Sequence, residues 1–263
     1  MKIMLSHENQ KKHIGMLYIN GGFEFIDTFF PYTSGKIGPY FVQSAGIMRR
    51  GTDFFEAIRD MSYLVSKQIN PNDEVVISGG EKRDWIFSMP VATNLMYPHS
   101  MLCKDGKILG ADMNEMNVFH VADLNNNGSS PRNMWIPMIK KAGGDIQNIF
   151  FYVDRFEEGV KVIQDIGLRS DSLIQLDGHA WDYLKSIYGV GEDIYFNLME
   201  RMEDRDAWAR EMLRSDRGLT RLAEIYQKTP DKAIKILNVG YPDLREELSQ
   251  RLAREKGIVI YGS

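Results

Sequence analysis

Five short, mostly apolar runs constrain this chain more than any other feature: EVVIS (74–78), SMLC (100–103), VFHVA (118–122), NIFFYV (148–153) and DSLIQL (171–176). A strand with one face in water alternates apolar and polar residues, whereas a strand covered on both faces reads as a continuous apolar run. Helical spacing fills the gaps between the runs. DFFEAIRDMSYLVSKQI (53–69) places Phe54, Ile58, Met61, Leu64 and Val65 on one side, and PND (71–73) then breaks it. WIFSMPVATNLM (85–96) is helical but interrupted by Pro90, and EEGVKVIQDIG (157–167) is helical again. Strands alternating with helices predict a doubly wound parallel α/β sheet from about Gly51 to Leu176.

The character changes after Leu176. Residues 177–263 show helical periodicities separated by Gly, Pro and Asp breaks, with scarcely any strand signal until IVIYG (258–262) and no signature of a repeat array. The expectation is a core region 1–176 followed by a helical C-terminal region 177–263. A chain of 263 residues, 43% hydrophobic and 26% charged, can bury a substantial core. Its formal charge of −4 gives no global attraction to nucleic acid or to an anionic membrane, so a small ligand is expected and neither nucleic acid nor membrane as partner. Cys103, the single cysteine, excludes an intrachain disulfide and reads as a buried strand residue. The opening MKIMLSHENQKKHIGML lacks a continuous apolar segment, and no run is long enough to span a bilayer, which points to the cytoplasm. His7, His13, His99, His120 and His179 lack metal-ligand spacing, so no protein metal site is expected, and His120 reads as a core residue. Neither a Walker lysine nor a dinucleotide fingerprint is present.

The segment LNNNGSS (124–130) follows the VFHVA strand and precedes an amphipathic helix whose buried face is Trp135, Met138, Ile139 and Ala142. Ligands of open parallel sheets gather at the carboxyl ends of strands. Ser130 is expected as the N-cap and Pro131 at the first helical position. Asn125, Asn126, Asn127, Gly128, Ser129 and Ser130 would then offer backbone N–H groups and the positive helix end to a phosphate. An Asn-Gly turn before a well-capped helix is the plain alternative.

VFHVADLNNNGSS resembles the phosphoribosyl-pyrophosphate signature of type I phosphoribosyltransferases: apolar residues, two acids, then a Thr/Gly/Ser loop. Three further segments resemble orotate phosphoribosyltransferase in that enzyme's order: FFPYTSGKIGPYFVQSAG (29–46), ISGGEKRDWIFSMPVA (77–92) and VDRFEEG (153–159). Together they span roughly Phe25 to Gly159, and the combination is far more specific than any one segment. The resemblance implies a phosphoribosyltransferase fold with an N-terminal hood over about 1–50, a core over about 51–176 and the helical region as an addition.

It also implies an enzyme transferring a phosphoribosyl group between phosphoribosyl pyrophosphate and a nucleobase, orotate first among candidates. Mg²⁺ would be held mainly through pyrophosphate and water, and the protein would be a homodimer. Asp123 would accept hydrogen bonds from ribose hydroxyls, and residues 125–130 would hold the 5-phosphate. Gly79 and Gly80 would let backbone approach an anion while Lys82 and Arg83 supply charge to pyrophosphate; a solvated charged turn is the alternative. Tyr40 and Phe41 would lie by the base. Arg155 would pair with a carboxylate such as orotate's, or else form a structural ion pair with Asp154 or Glu157.

Departures accompany the matches. Ala122 stands where the signature has its first acid, asparagines replace the usual threonines, and Thr33 stands where a lysine is usual. The mobile catalytic loop is reduced to CKDGKILGADMNEMN (103–117), where Lys104 and Lys107 are the candidate catalytic cations beside Asp123. These departures support a second reading, a non-catalytic sensor of phosphoribosyl pyrophosphate or a nucleotide.

Overall fold

The structure is a computed structural model in which residues 7–260 are described. It divides into two compact units, one of residues 1–22 and 43–180, the other of residues 23–42 and 181–263.

The first unit is built on six strands: β3 (Val75–Gly80), β4 (His99–Leu102), β5 (Ile108–Gly110), β6 (Asn117–Asn125), β7 (Asp145–Asp154) and β8 (Arg169–Gln175), in the order β5-β4-β3-β6-β7-β8. All neighbours pair in parallel except β4 and β5. Helices α1 (His7–Ile19), α2 (Gly51–Ser66), α3 (Asp84–Leu95), α4 (Ile136–Lys141) and α5 (Glu158–Asp165) complete the unit. The expected doubly wound sheet is therefore present, and the apolar runs are its strands because both faces are buried: β3 is buried at all six positions, β7 at eight of ten. From β3 the chain winds outward to β4, and from β6 it winds the other way to β7 and β8. The order thus reverses between β3 and β6, the place where an open α/β sheet leaves a crevice beyond its strand ends.

Several local expectations change. Helix α3 runs through Pro90 without ending, since tertiary burial of Phe87, Ser88, Val91 and Ala92 outweighs the lost backbone donor. The segment 103–117 is not a long mobile loop. Cys103 N–H donates to the Lys107 carbonyl, β5 pairs antiparallel with β4, Ala111 N–H donates to the His99 carbonyl, and Met113 is fully buried. Cys103 is half-buried at the start of that turn rather than inside the strand.

The second unit contains an antiparallel hairpin, β1 (Phe23–Pro31) with β2 (Ile37–Val42), and helices α7 (Glu192–Glu203), α8 (Arg205–Arg214), α9 (Asp216–Lys228), α10 (Pro230–Lys235) and α11 (Arg245–Lys256). Helix α6 (Gly178–Tyr188) connects the units along the chain. Phe29 and Ile37 of the hairpin share one core with Trp208, Met212, Leu222 and Leu248. Backbone groups add to this, since Asn197 Nδ2 donates to the Asp27 carbonyl (2.9 Å) and Arg221 Nε to the Phe29 carbonyl (3.2 Å). Gly35 turns the hairpin at φ +87°, and a Cβ there would meet the Lys235 carbonyl at 2.8 Å. Helix starts are capped as sequence rules predict: Asp204 accepts from the N–H groups of Asp206 and Ala207, and Ser215 from that of Gly218. IVIYG is not a strand over its described part; Ile258 and Ile260 pack as irregular chain against the helical core, and Tyr261 and Gly262 lie outside the described residues.

Candidate functional site

Four side chains of the first unit meet near the end of β6: Asp123 of the strand itself, Arg83 of the loop after β3, Asp84 at the start of α3 and Ser44 of the short helical turn before α2. Beyond Ser78 and His120 the two strands no longer pair, so the Asp123 N–H must find another acceptor. It finds Asp84, the first residue of α3, whose Oδ1 accepts at 2.9 Å. The Asp123 carboxylate in turn accepts from the Ser44 hydroxyl at 2.7 Å and lies 3.4 Å from Arg83 Nε. Arg83 is half-exposed and also reaches Gln43 Oε1, so its contact with Asp123 is loose and screened. Asp84 is 4% exposed, and burial, then the neighbouring charge of Asp123, hold its carboxyl well above the usual carboxylate range.

Position 122 explains itself. Ala122 is fully buried among Val76, Val118, Trp135, Ile139 and Phe151, so its side chain belongs to the core and not to the crevice. An acid there would be buried without solvent in this apolar core. Gly79 and Gly80 are needed for packing: a Cβ on Gly79 would lie 2.1 Å from Ser88 Oγ, and one on Gly80 would lie 2.3 Å from Trp135 Nε1 and 2.5 Å from Asp84 Oδ2. The close approach these glycines allow in the structure is therefore made by side chains. Lys82 is exposed beside them.

The loop after Asp123 folds tightly into its helix. Asn125 is buried, with Nδ2 donating to Asp154 Oδ2 at 3.0 Å and its Oδ1 without a partner. Gly128 takes φ +69°, and the helix begins at Ser129, earlier than expected, with Arg132 N–H donating to the Gly128 carbonyl. Ser130 is accordingly helical and makes no side-chain cap; Pro131–Trp135 form a π-helical turn before α4. The capping acceptor is Asn127, whose Oδ1 takes the Ser129 N–H at 3.2 Å, at a point where an anion's oxygen would also fit. Asn126 and Asn127 are half-buried, and Ser129 and Ser130 are exposed.

Arg155 follows β7 beside this loop. It is 5% exposed, its N–H donates to the Asn125 carbonyl, and its guanidinium lies 3.3 Å from Glu157, which is one of the ion pairs expected of it. Lys104 and Lys107 sit on the β4–β5 turn: the Lys104 N–H donates to Glu81 Oε2, and the Lys107 ammonium pairs with Asp105 at the surface. Tyr40 and Phe41 belong to the second unit. Tyr40 is buried, with its ring 5.0 Å from Trp181 and 5.6 Å from the Arg201 guanidinium, whereas Phe41 is exposed. Behind the site, His120 Nδ1 and Ser78 Oγ are 2.9 Å apart, and burial lowers the imidazole pKa to about 3.

Sequence reasoning assigns no role to Ser44 or Asp84, and places Trp135 only on a buried helix face. Each lies within or just beyond a segment of interest, but contacts 79 and 39 residues apart in the chain leave no local signal.

No protein-family profile matches the sequence, and no curated protein does. Solved structures do match. A UMP synthase from Leishmania donovani superposes with a TM-score of 0.66 at 14% identity, over 74% of this chain and 42% of that one. Orotate phosphoribosyltransferase from Francisella tularensis gives 0.58 at 18% identity over 72% and 96% of the two chains, and that from Aeropyrum pernix gives 0.56 at 18% over 67% and 99%. The chain thus covers less than half of the UMP synthase but nearly all of each orotate phosphoribosyltransferase. At these identities the likeness establishes that this chain has the phosphoribosyltransferase fold.

Proposed function

We propose that the chain is a phosphoribosyltransferase that joins the ribosyl carbon of phosphoribosyl pyrophosphate to a ring nitrogen of a nucleobase, with orotate the favoured base. One observation carries the reading: at the reversal point of the sheet, Asp123 stands directly before a tight loop that opens a helix, with Arg83 of the neighbouring loop at its carboxylate. The likeness in fold to orotate phosphoribosyltransferases supports it.

In the reaction the bond from C1 of the ribose to the departing pyrophosphate breaks as the base nitrogen forms its bond, and the base gives up a proton. The protein's part is to orient the reactants and stabilise charge on the leaving group. The amides of 126–130 and the helix start would seat the 5-phosphate. Asp123, already an acceptor for Ser44, would accept from the sugar hydroxyls. Arg83 and Lys82, exposed at the crevice, would meet the pyrophosphate. Mg²⁺ arriving with the pyrophosphate, and held mainly through it and through water, would neutralise charge on the leaving group. Arg155 would offer charge to a carboxylate on the base.

A second reading, a sensor that binds phosphoribosyl pyrophosphate or a nucleotide without turnover, draws support from the short β4–β5 turn. It leaves Lys107 paired with Asp105 rather than on a long loop. Pyrophosphate release from phosphoribosyl pyrophosphate and Mg²⁺, assayed across a panel of nucleobases, separates the two. Base-dependent release is expected of the transferase. Tight binding without release with any base would select the sensor.

A further inference from the structure

The signature's first acid is absent at position 122, yet a second carboxyl stands at the same strand end, contributed by another element. We infer that Asp84, from the start of α3, takes the place of the missing acid. It positions Asp123 and completes the hydrogen-bonding end of β6 that receives the sugar and pyrophosphate of a phosphoribosyl pyrophosphate. The inference rests on the function proposed above.

Three observations carry it. Asp84 Oδ1 holds the Asp123 main chain at 2.9 Å, just past the last residue at which β3 can do so. Ala122 is committed to the core, so no acid at that position could share the crevice with Asp123. The third is Trp135, 5% exposed, whose Nε1 has no partner and lies with Asp84 Oδ2 around the point a Gly80 side chain would occupy. A buried donor without an acceptor costs stability unless an oxygen comes to it. Here it would be an oxygen of the ligand, lying between the indole N–H and the second atom of the Asp84 carboxyl group. Gly80 is what lets the indole, the carboxyl and the β3 backbone converge.

Burial beside Asp123 favours the neutral form of Asp84. Asn keeps the side-chain oxygen that accepts from the Asp123 N–H, whereas Ala does not. Asp84 is on these grounds a positioning residue.

The test is calorimetric titration of the full chain with phosphoribosyl pyrophosphate and Mg²⁺, and separately with inorganic phosphate, for the parent protein, Asp84→Ala and Asp84→Asn. Asp84→Ala is expected to weaken phosphoribosyl pyrophosphate at least tenfold while changing phosphate affinity less than twofold, because the 125–130 loop is untouched. Asp84→Asn is expected to stay within threefold of the parent. A parent protein that binds no phosphoribosyl pyrophosphate refutes the functional reading itself. A parent that binds, with Asp84→Ala unchanged, with both ligands weakened alike, or with Asn failing to restore affinity, overturns the role of Asp84 alone.

Discussion

Asp123 is the residue on which the account turns, because its backbone, carboxylate and neighbours meet at the strand end. Asp123→Asn keeps the shape and removes the charge, and is expected to weaken phosphoribosyl pyrophosphate binding by roughly 1.5–3 kcal/mol, the range for a hydrogen bond to a charged group. Unchanged affinity by titration would make Asp123 structural. Asp123 was legible in the sequence because a motif of fixed spacing marks it. Asp84 was not, since its meaning comes from a contact made only when α3 starts beside β6. Ala122 was legible as a departure, but its reason, burial in the apolar core, belongs to packing.

Elements carry two further predictions. The loop-to-helix junction was read correctly in place but not in detail: Ser130 and Pro131 make a plausible cap on paper, yet Gly128 at positive φ starts the helix sooner and gives the capping role to Asn127. Asn127→Ala should therefore cost about 1 kcal/mol in denaturant unfolding and Ser130→Ala only a few tenths, the reverse of the sequence-based assignment. Equal costs would contradict the observed cap. Strand β6 also carries His120, fully buried with a pKa of about 3 against about 6.5 in an unfolded chain. A base whose folded pKa is depressed is neutral in the fold and takes up a proton on unfolding. Stability from this residue is thus intact above about pH 6.5 and declines as pH falls toward 3. Between pH 6.5 and 4.5 the loss should be roughly 2–3 kcal/mol, and His120→Gln should remove most of that slope. A variant with the parent's pH dependence would locate the titration elsewhere.

For the whole molecule, strand runs and helix periods made the sheet readable, because both-face burial writes itself directly into apolar composition. The grouping of residues 23–42 with 181–263 was not readable, since it depends on Phe29 and Ile37 finding a core made far along the chain. Leu222→Ala, at the centre of that core, should cost about 2–5 kcal/mol and can be read by thermal unfolding. We propose a homodimer, as the resemblance implies. Light scattering should report twice the monomer mass, and a monomer at concentrations where the protein is active would rule out a site shared between subunits.

The most direct test of the central claim is a crystal structure with phosphoribosyl pyrophosphate and Mg²⁺. The 5-phosphate is expected on the backbone amides of 126–130, replacing Asn127 Oδ1 at the Ser129 N–H, with the ribose hydroxyls on Asp123. A sugar phosphate bound away from the end of β6, or with Asp123 still directed only to Ser44 and Arg83, would contradict it.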